Sequence, residues 1–296
     1  MTVNAQTLGR RLWKDRYAYL FLLPGYSIFL VLVFIPLIAG IWISFFRTDY
    51  ITFTWVGLGN YETLFTTPHY VKIFRNTFSY VLILVPVAVS TSLLLALLIH
   101  PLPPAMQSFF RGAFYLPSVV GGIVLTTVWL WIFNPTYGLL NYALGLIEVK
   151  PILWLASGRF SLYAVCIAVF FQVLGSQIIL FLAGLDNIPD ELIDAARVDG
   201  ATAWQVTWRI SLPLLRPVVA FVVAIQTIGL FQIWETIYLL TNGGPNDASA
   251  SVVFSIYQTA FQFSKWGLAA AMGVGLMAVI AVVSLFQSRF WRSTEI

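Results

Sequence analysis

The chain has 296 residues, of which 59% are hydrophobic and only 9% charged, with a formal net charge of +4. Soluble domains carry about 25% charged residues, so a globule with this composition could not cover itself with polar groups, and most of its surface must face lipid. The positive surplus then reads as membrane topology rather than as a nucleic-acid surface.

A helix rises about 1.5 Å per residue, so crossing a hydrocarbon core of about 30 Å takes about 20 apolar residues. Six runs meet that length: residues 17–46, 77–99, 112–133, 162–185, 217–240 (with one charge, Glu235) and 266–287. Backbone groups in lipid must be satisfied within their own segment, so each run is expected to be a helix. The fold class is therefore all-α, an integral membrane protein with six transmembrane helices. The β-branched stretch 119–124 does not change that expectation. The first run follows Arg10, Arg11, Lys14 and Arg16, as a signal peptide would. A signal core spans only about 7–15 residues and ends at small residues. This run is longer and ends in Trp42, Phe45 and Phe46, so it reads as a retained span after a cytoplasmic tail, residues 1–16.

Lys and Arg collect on the cytoplasmic side. With the N-terminus inside, ten fall inside (Arg10, Arg11, Lys14, Arg16, Arg111, Arg197, Arg209, Arg216, Arg289, Arg292) and six outside (Arg47, Lys72, Arg75, Lys150, Arg159, Lys265). That bias places both termini in the cytoplasm. Aromatics such as Trp129, Trp131, Phe133, Phe290 and Trp291 mark the span ends, as interfacial belts do.

One compositional break stands out, the loop 186–216. It reads as two short helices joined by a turn. Asp186 or Asn187 can cap the first, with Pro189 in its opening turn. Asp190, Glu191 and Asp194 favour its N-terminal half through the helix dipole. Gly200 ends it as a residue free to take positive φ. A second helix from about Ala201 stacks Trp204 on Trp208, and Pro213 and Pro217 open the fifth span. Ala195 and Ala196 give the first helix a face that another surface can approach closely.

In its residue order this loop resembles the EAA motif of ABC importer permeases: Glu-Ala-Ala, a short spacer, Gly and, further on, Ile-x-Leu-Pro. Here the pattern stands as Asp194-Ala195-Ala196, Gly200 and Ile210-Ser211-Leu212-Pro213, with Asp for the first Glu. Gly57-Leu58-Gly59-Asn60-Tyr61, Asn76-Thr77, Leu116-Pro117, Gly138-Leu139-Leu140-Asn141 and Leu240-Thr241-Asn242-Gly243-Gly244-Pro245 are similar, in order, to segments of the sugar permeases of that family. The resemblance implies a type I ABC importer permease fold in a bacterial inner membrane. It implies a second homologous permease, two ATPase subunits and an extracytoplasmic solute-binding protein as partners, and a sugar as substrate. It makes the loop the coupling helix that docks on an ATPase. Asp194, Ala195, Ala196, Asp199 and Gly200 would form the contact, and Asp194 would meet a basic group. ATP and Mg would be bound by those partners, since this chain has no G-x-x-x-x-G-K-[ST] loop.

Polar residues inside spans usually face a bundle interior or a wet cavity. The fourth span carries Gln172, Ser176 and Gln177, and the fifth carries Gln226, Thr227, Gln232 and Glu235. Gln172 and Ser176 share a helical face, as do Gln232 and Glu235. Amides and a carboxylate over aromatics such as Phe231 and Trp234 suit a sugar's hydroxyls. They equally suit interhelical bonding, and Glu235 can also reach the outer interface. The small residues Ala269, Ala270, Ala271, Gly273 and Gly275 of the sixth span predict close helix packing, within the chain or against the second permease.

Other classes fit less well. A glycerol phosphate would want Arg or Lys in the spans, where none stands; a polyol remains open. An ion-coupled secondary transporter would show inverted repeats and more intramembrane carboxylates. An enzyme needs a catalytic constellation, and neither G-x-S-x-G nor H-E-x-x-H occurs. The single cysteine, Cys166, excludes an internal disulfide. His69 and His100 stand far apart without companion ligands, so no metal is expected.

Overall fold

The structure, a computed structural model, describes residues 16–292. The expected tail 1–16, except for Arg16, lies outside the described residues.

The first span is a helix from Arg16–Phe29, a π-helical turn over Leu30–Phe34 and a helix over Ile35–Ile43. It touches the sixth span through its last segment, and its membrane-length stretch buries nothing inside the chain. A small antiparallel hairpin follows, Phe46–Thr48 on Phe53–Trp55, with Phe46 opposite Trp55. It is a departure from the all-helical expectation. Its turn is closed by Asp49, whose carboxylate accepts the N–H groups of Ile51 (3.0 Å) and Thr52 (2.7 Å).

The second span, Pro68–Ile99, starts well before its apolar run and projects beyond it at the end that carries the hairpin. The fourth is an unbroken helix, Ser161–Asp186, and the sixth runs over Trp266–Arg292. The third and fifth correct the expectation of one helix per run. The third consists of Pro104–Val120 and Gly122–Ile132, bent by 97°. Gly121 makes the corner at φ +90°, a conformation open to glycine and costly for other residues. The fifth ends as a helix at Phe231 and restarts over Glu235–Leu240. In consequence Gln232 and Glu235 do not share a helical face. By length and composition the described residues hold four membrane-length helices, or six if Pro104–Val120 with Gly122–Ile132, and Ala203–Leu214 with Arg216–Phe231 (bent by 60°), are each taken as one.

Lipid tails are as apolar as leucine, so close packing rather than the hydrophobic effect must hold these helices together. The second and fourth spans form the centre. Tyr80, Leu84 and Val165 pack there with Phe231, Ile237, Phe254 and Met272 toward the hairpin end. Ala96, Ile178, Phe181, Leu182 and Leu215 pack toward the other. Gly175 allows a close crossing: a Cβ there would fall 2.0 Å from the carbonyl oxygen of Phe114 in the third span. The small residues of the sixth span pack within the chain, with Ala269 and Ala271 buried. Gly273 faces Ile256, and Gly275 faces Phe74.

Buried asparagines organise the end that carries the hairpin. Asn60 donates to the carbonyls of Ser44 (2.8 Å) and Phe46 (2.9 Å), tying the hairpin down. Asn76 donates to Asp247 (2.7 Å) and Ala250 (3.2 Å). Asn141 bonds Pro135, both backbone polar groups of Ile152, and the Trp154 indole.

Candidate functional site

The two broken spans meet. A Cβ on Gly122, the first residue after the corner, would stand 2.9 Å from Gln172 Nε2 and 3.0 Å from Glu235 Oε2. Three elements therefore bring an amide, a carboxylate and a bare stretch of backbone together. Gln172 comes from the middle of the fourth span, and Glu235 from the restart of the fifth. The corner is fastened by Ser118, whose hydroxyl donates to the Gln172 carbonyl at 2.9 Å. Gln172 and Glu235 are half-buried, and Trp234 beside them is 39% exposed. A pair of discontinuous helices with polar side chains at the break is how membrane proteins present binding groups at depth. An amide offers donors and an acceptor, and a carboxylate accepts strongly, so the pair matches a solute rich in hydroxyls.

The other intramembrane residues divide. Gln177 is buried and accepts from Ser92 at 2.8 Å, joining the second and fourth spans. Thr227 is buried and accepts from Gln287 at 2.9 Å, joining the fifth and sixth. Both are interhelical bonds rather than lining. Ser176 is exposed, and its hydroxyl donates to the Val173 carbonyl of its own helix at 2.9 Å. Gln226 is half-buried, and Gln232 is an exposed helix end. Phe231 is buried against Phe78 with ring centres 5.4 Å apart, so it belongs to the core and not to an aromatic lining. Sequence reasoning missed Gly122, for which adjacent glycines inside an apolar run were the available signal.

At the opposite end the loop 186–216 folds as Asp190–Val198, then Ala203–Val206, a π-helical turn over Thr207–Ser211 and a short turn over Leu212–Leu214. Neither Asp186 nor Asn187 caps the first helix. Asp186 is the last residue of the fourth-span helix, and Pro189 occupies the cap position. Gly200 takes φ +81° at the turn, with nothing within 4 Å of where a Cβ would point. The second helix carries a capping box missed in the sequence: Thr202 accepts the N–H of Gln205, and Gln205 accepts that of Thr202. Trp204 and Trp208 meet with centres 5.2 Å apart, tilted by 54° rather than stacked. Asp194, Ala195, Asp199 and Gly200 are exposed, Ala196 is half-buried, and no residue of the first helix is buried. Asp194 pairs with Arg197 one turn on, at 3.2 Å. Such an exposed pair is worth under about 1 kcal/mol, so Asp194 can exchange partners at little cost.

Among the described residues no three His, Cys, Asp or Glu side chains group as metal ligands.

Residues 70–295 match the family described as binding-protein-dependent transport system inner membrane component. The chain is similar to the probable ABC transporter permease protein YesP of Bacillus subtilis (strain 168), at 32% identity over 97% of this chain and 96% of that one. It is similar at 31% to the arabinooligosaccharides transport system permease protein AraP of Halalkalibacterium halodurans, over 91% of this chain and 85% of that one. It is also 31% identical to the sn-glycerol-3-phosphate transport system permease protein UgpA of Brucella abortus, over 92% and 93%. In structure it resembles a chain of a bacterial ABC transporter involved in the import of the acidic polysaccharide alginate. The TM-score is 0.86 at 23% identity, over 98% of this chain and all of that one, a likeness of fold. The chain thus belongs to the binding-protein-dependent inner membrane components: it is a permease subunit of an ABC importer with the type I fold, a transport subunit and not an enzyme.

Proposed function

We propose that this chain forms half of the path for a sugar or oligosaccharide, with the Gln172 amide and the Glu235 carboxylate contacting its hydroxyls beside Gly122. The observation that carries this reading is their convergence beside Gly122, where the corner of the third span meets the restart of the fifth at Glu235. Arabinooligosaccharide transport by the similar AraP supports the substrate class. The exposure of Trp234 leaves the wall open on one side, which a second, homologous permease would close. An extracytoplasmic binding protein would deliver the solute to the end that carries the asparagine-tied loops. Both termini would lie in the cytoplasm.

Two ATPase subunits would drive the cycle, one docking on the exposed helix Asp190–Val198 and its Gly200 turn. The bare environment of Ala195 and Gly200 supports close approach. A glycerol phosphate, suggested by the likeness to UgpA, suits this site less well, because Glu235 would repel a phosphate.

The test uses the assembled complex in vesicles. Gln172→Leu and Glu235→Gln should each raise the solute concentration for half-maximal uptake while the ATPases still co-purify. Parent-like uptake by both variants would remove the site. Gly200→Trp and Asp194→Lys should release the ATPases or uncouple hydrolysis from solute. If both assemble and transport like the parent, the loop is only a connector.

A further inference from the structure

Two helix ends and the middle of a third helix meet at the root of the 186–216 loop, on the carboxylate of Asp186. Its Oδ2 accepts from Arg111 Nη2 at 3.2 Å, and its Oδ1 lies 3.3 Å from His100 Nε2. His100 closes the second-span helix, Arg111 sits on the first half of the broken third span, and Asp186 ends the fourth-span helix. Gln107 braces the group. It accepts from Arg111 at 3.1 Å and donates to the carbonyls of His100 (2.7 Å) and Leu102 (2.9 Å). Residues 100–102 are thereby knotted onto the helix that carries Arg111.

The helix Asp190–Val198 rests less firmly on the bundle. A cavity of about 260 Å³ lies between them, lined by Leu97, His100, Ile188, Arg197, Val206 and Thr207. The helix Asp190–Val198 buries none of its residues. A displacement of that helix reaches the bundle along the chain on either side, at Asp186 and through the buried Val206 and Ser211.

From Asp186 the Arg111 helix runs as an arm. It is pinned at Arg111, seated at mid-length where Phe114 crosses Gly175, and ends at the Gly121 corner. Beyond that corner Gly122 stands against Gln172 and Glu235. Contiguity of this kind is a precondition for coupling between sites, and an equilibrium that both sites bias is the proof of it.

We propose that Arg111, Asp186 and His100 are positioning residues that relay displacement of the 186–216 loop to the helix Pro104–Val120, and through it to the Gln172–Glu235 pair. The relay rests on the coupling reading of the loop. The groups are between a third and a half exposed, and ion pairs of that exposure contribute little to stability, so their removal leaves the fold standing.

The experiment uses the complete complex with its ATPases. One spin label is placed on the arm (Val119→Cys) and, in a separate sample, one on the loop (Val198→Cys); both positions are exposed. The native Cys166 is buried. Spectra are taken without nucleotide and with ATP, Mg and vanadate, which requires no solute. In the parent both labels should change. In Asp186→Asn and in Arg111→Met the loop label should still change, while the change at the arm label falls to under a third of the parent's. The exchanged pair Arg111→Asp with Asp186→Arg should restore more than half of it, which a merely structural loss would not do.

The relay is overturned if the arm label responds fully in both single variants, if it does not respond in the parent, or if the exchange restores nothing. It is overturned too if both labels fall silent together in Asp186→Asn, because the carboxylate then positions the loop itself. A loop label silent in the parent refutes instead the coupling reading on which the relay rests.

Discussion

Gly122→Ala separates the solute path from mere packing. The added methyl would lie 2.9 Å from Gln172 Nε2 and 3.0 Å from Glu235 Oε2, so both must rotate away. They are ends of flexible side chains, and rotation costs about 0.5–1.5 kcal/mol. That is largely offset by the about 0.5–1 kcal/mol by which alanine exceeds glycine in a helix. The thermal midpoint should therefore barely move. If each displaced group gives up one hydrogen bond to the solute, at about 1 kcal/mol apiece, the loss of about 2 kcal/mol raises the half-saturating concentration about 30-fold. Gly175→Ala is the control. Its methyl would fall 2.0 Å from the Phe114 oxygen and 2.7 Å from the carbonyl carbon. Backbone cannot rotate aside, so the third and fourth spans must part, at about 2 kcal/mol or more. Uptake in vesicles and thermal unfolding in detergent are measured on both. Parent-like half-saturation in Gly122→Ala, or a loss of stability equal to that of Gly175→Ala, would refute the assignment.

Gln177→Leu should cost no more than about 0.6 kcal/mol and leave uptake unchanged, because Ser92 keeps its bond to the Ala88 carbonyl; defective uptake would move Gln177 into the path. Asn141→Ala should lower stability by about 3 kcal/mol, since it strands the N–H of Ile152 and the Trp154 indole; denaturant titration followed by tryptophan emission measures it. The Asp49 carboxyl is held below its ordinary value by the Thr52 N–H, the Thr52 hydroxyl and the Ile51 N–H. Its support for the hairpin is therefore present above the ordinary carboxylate value and lost as pH falls through the lowered one. An acid titration of Trp55 emission should show that step in the parent and not in Asp49→Asn.

Hydropathy alone located the six runs, because solvation by lipid constrains every residue of a span at once. It could not locate the corners. Gly121 differs from a tolerated helix glycine only in the sign of φ, and the break at 232–234 has no proline to announce it. Glu235 and Gln172 were legible as costly polar residues. Their meeting was not, because periodicity relates residues within one helix and theirs is a relation between three. The same limit hid the division of labour between Gln172, which faces Gly122, and Gln177, which bonds Ser92. In the loop, Gly200 was legible from its chemistry, whereas Asp186 was mistaken for a cap because the fourth helix runs further than its apolar stretch. The motif residues Asn60, Asn76 and Asn141 were legible as a pattern, and only the hydrogen bonds show that they shape loops.

Those asparagines bear on the kinetics of delivery. A surface whose loops must order on contact slows association and weakens the complex by the entropy it surrenders. Here the hairpin, the 241–251 segment and the 133–155 segment are each fastened by one buried amide before any partner arrives. A docking protein would thus meet a surface already in shape. The conformational change that limits the encounter would then lie with the incoming protein, so variation in association rate between solutes would report how each solute closes its carrier.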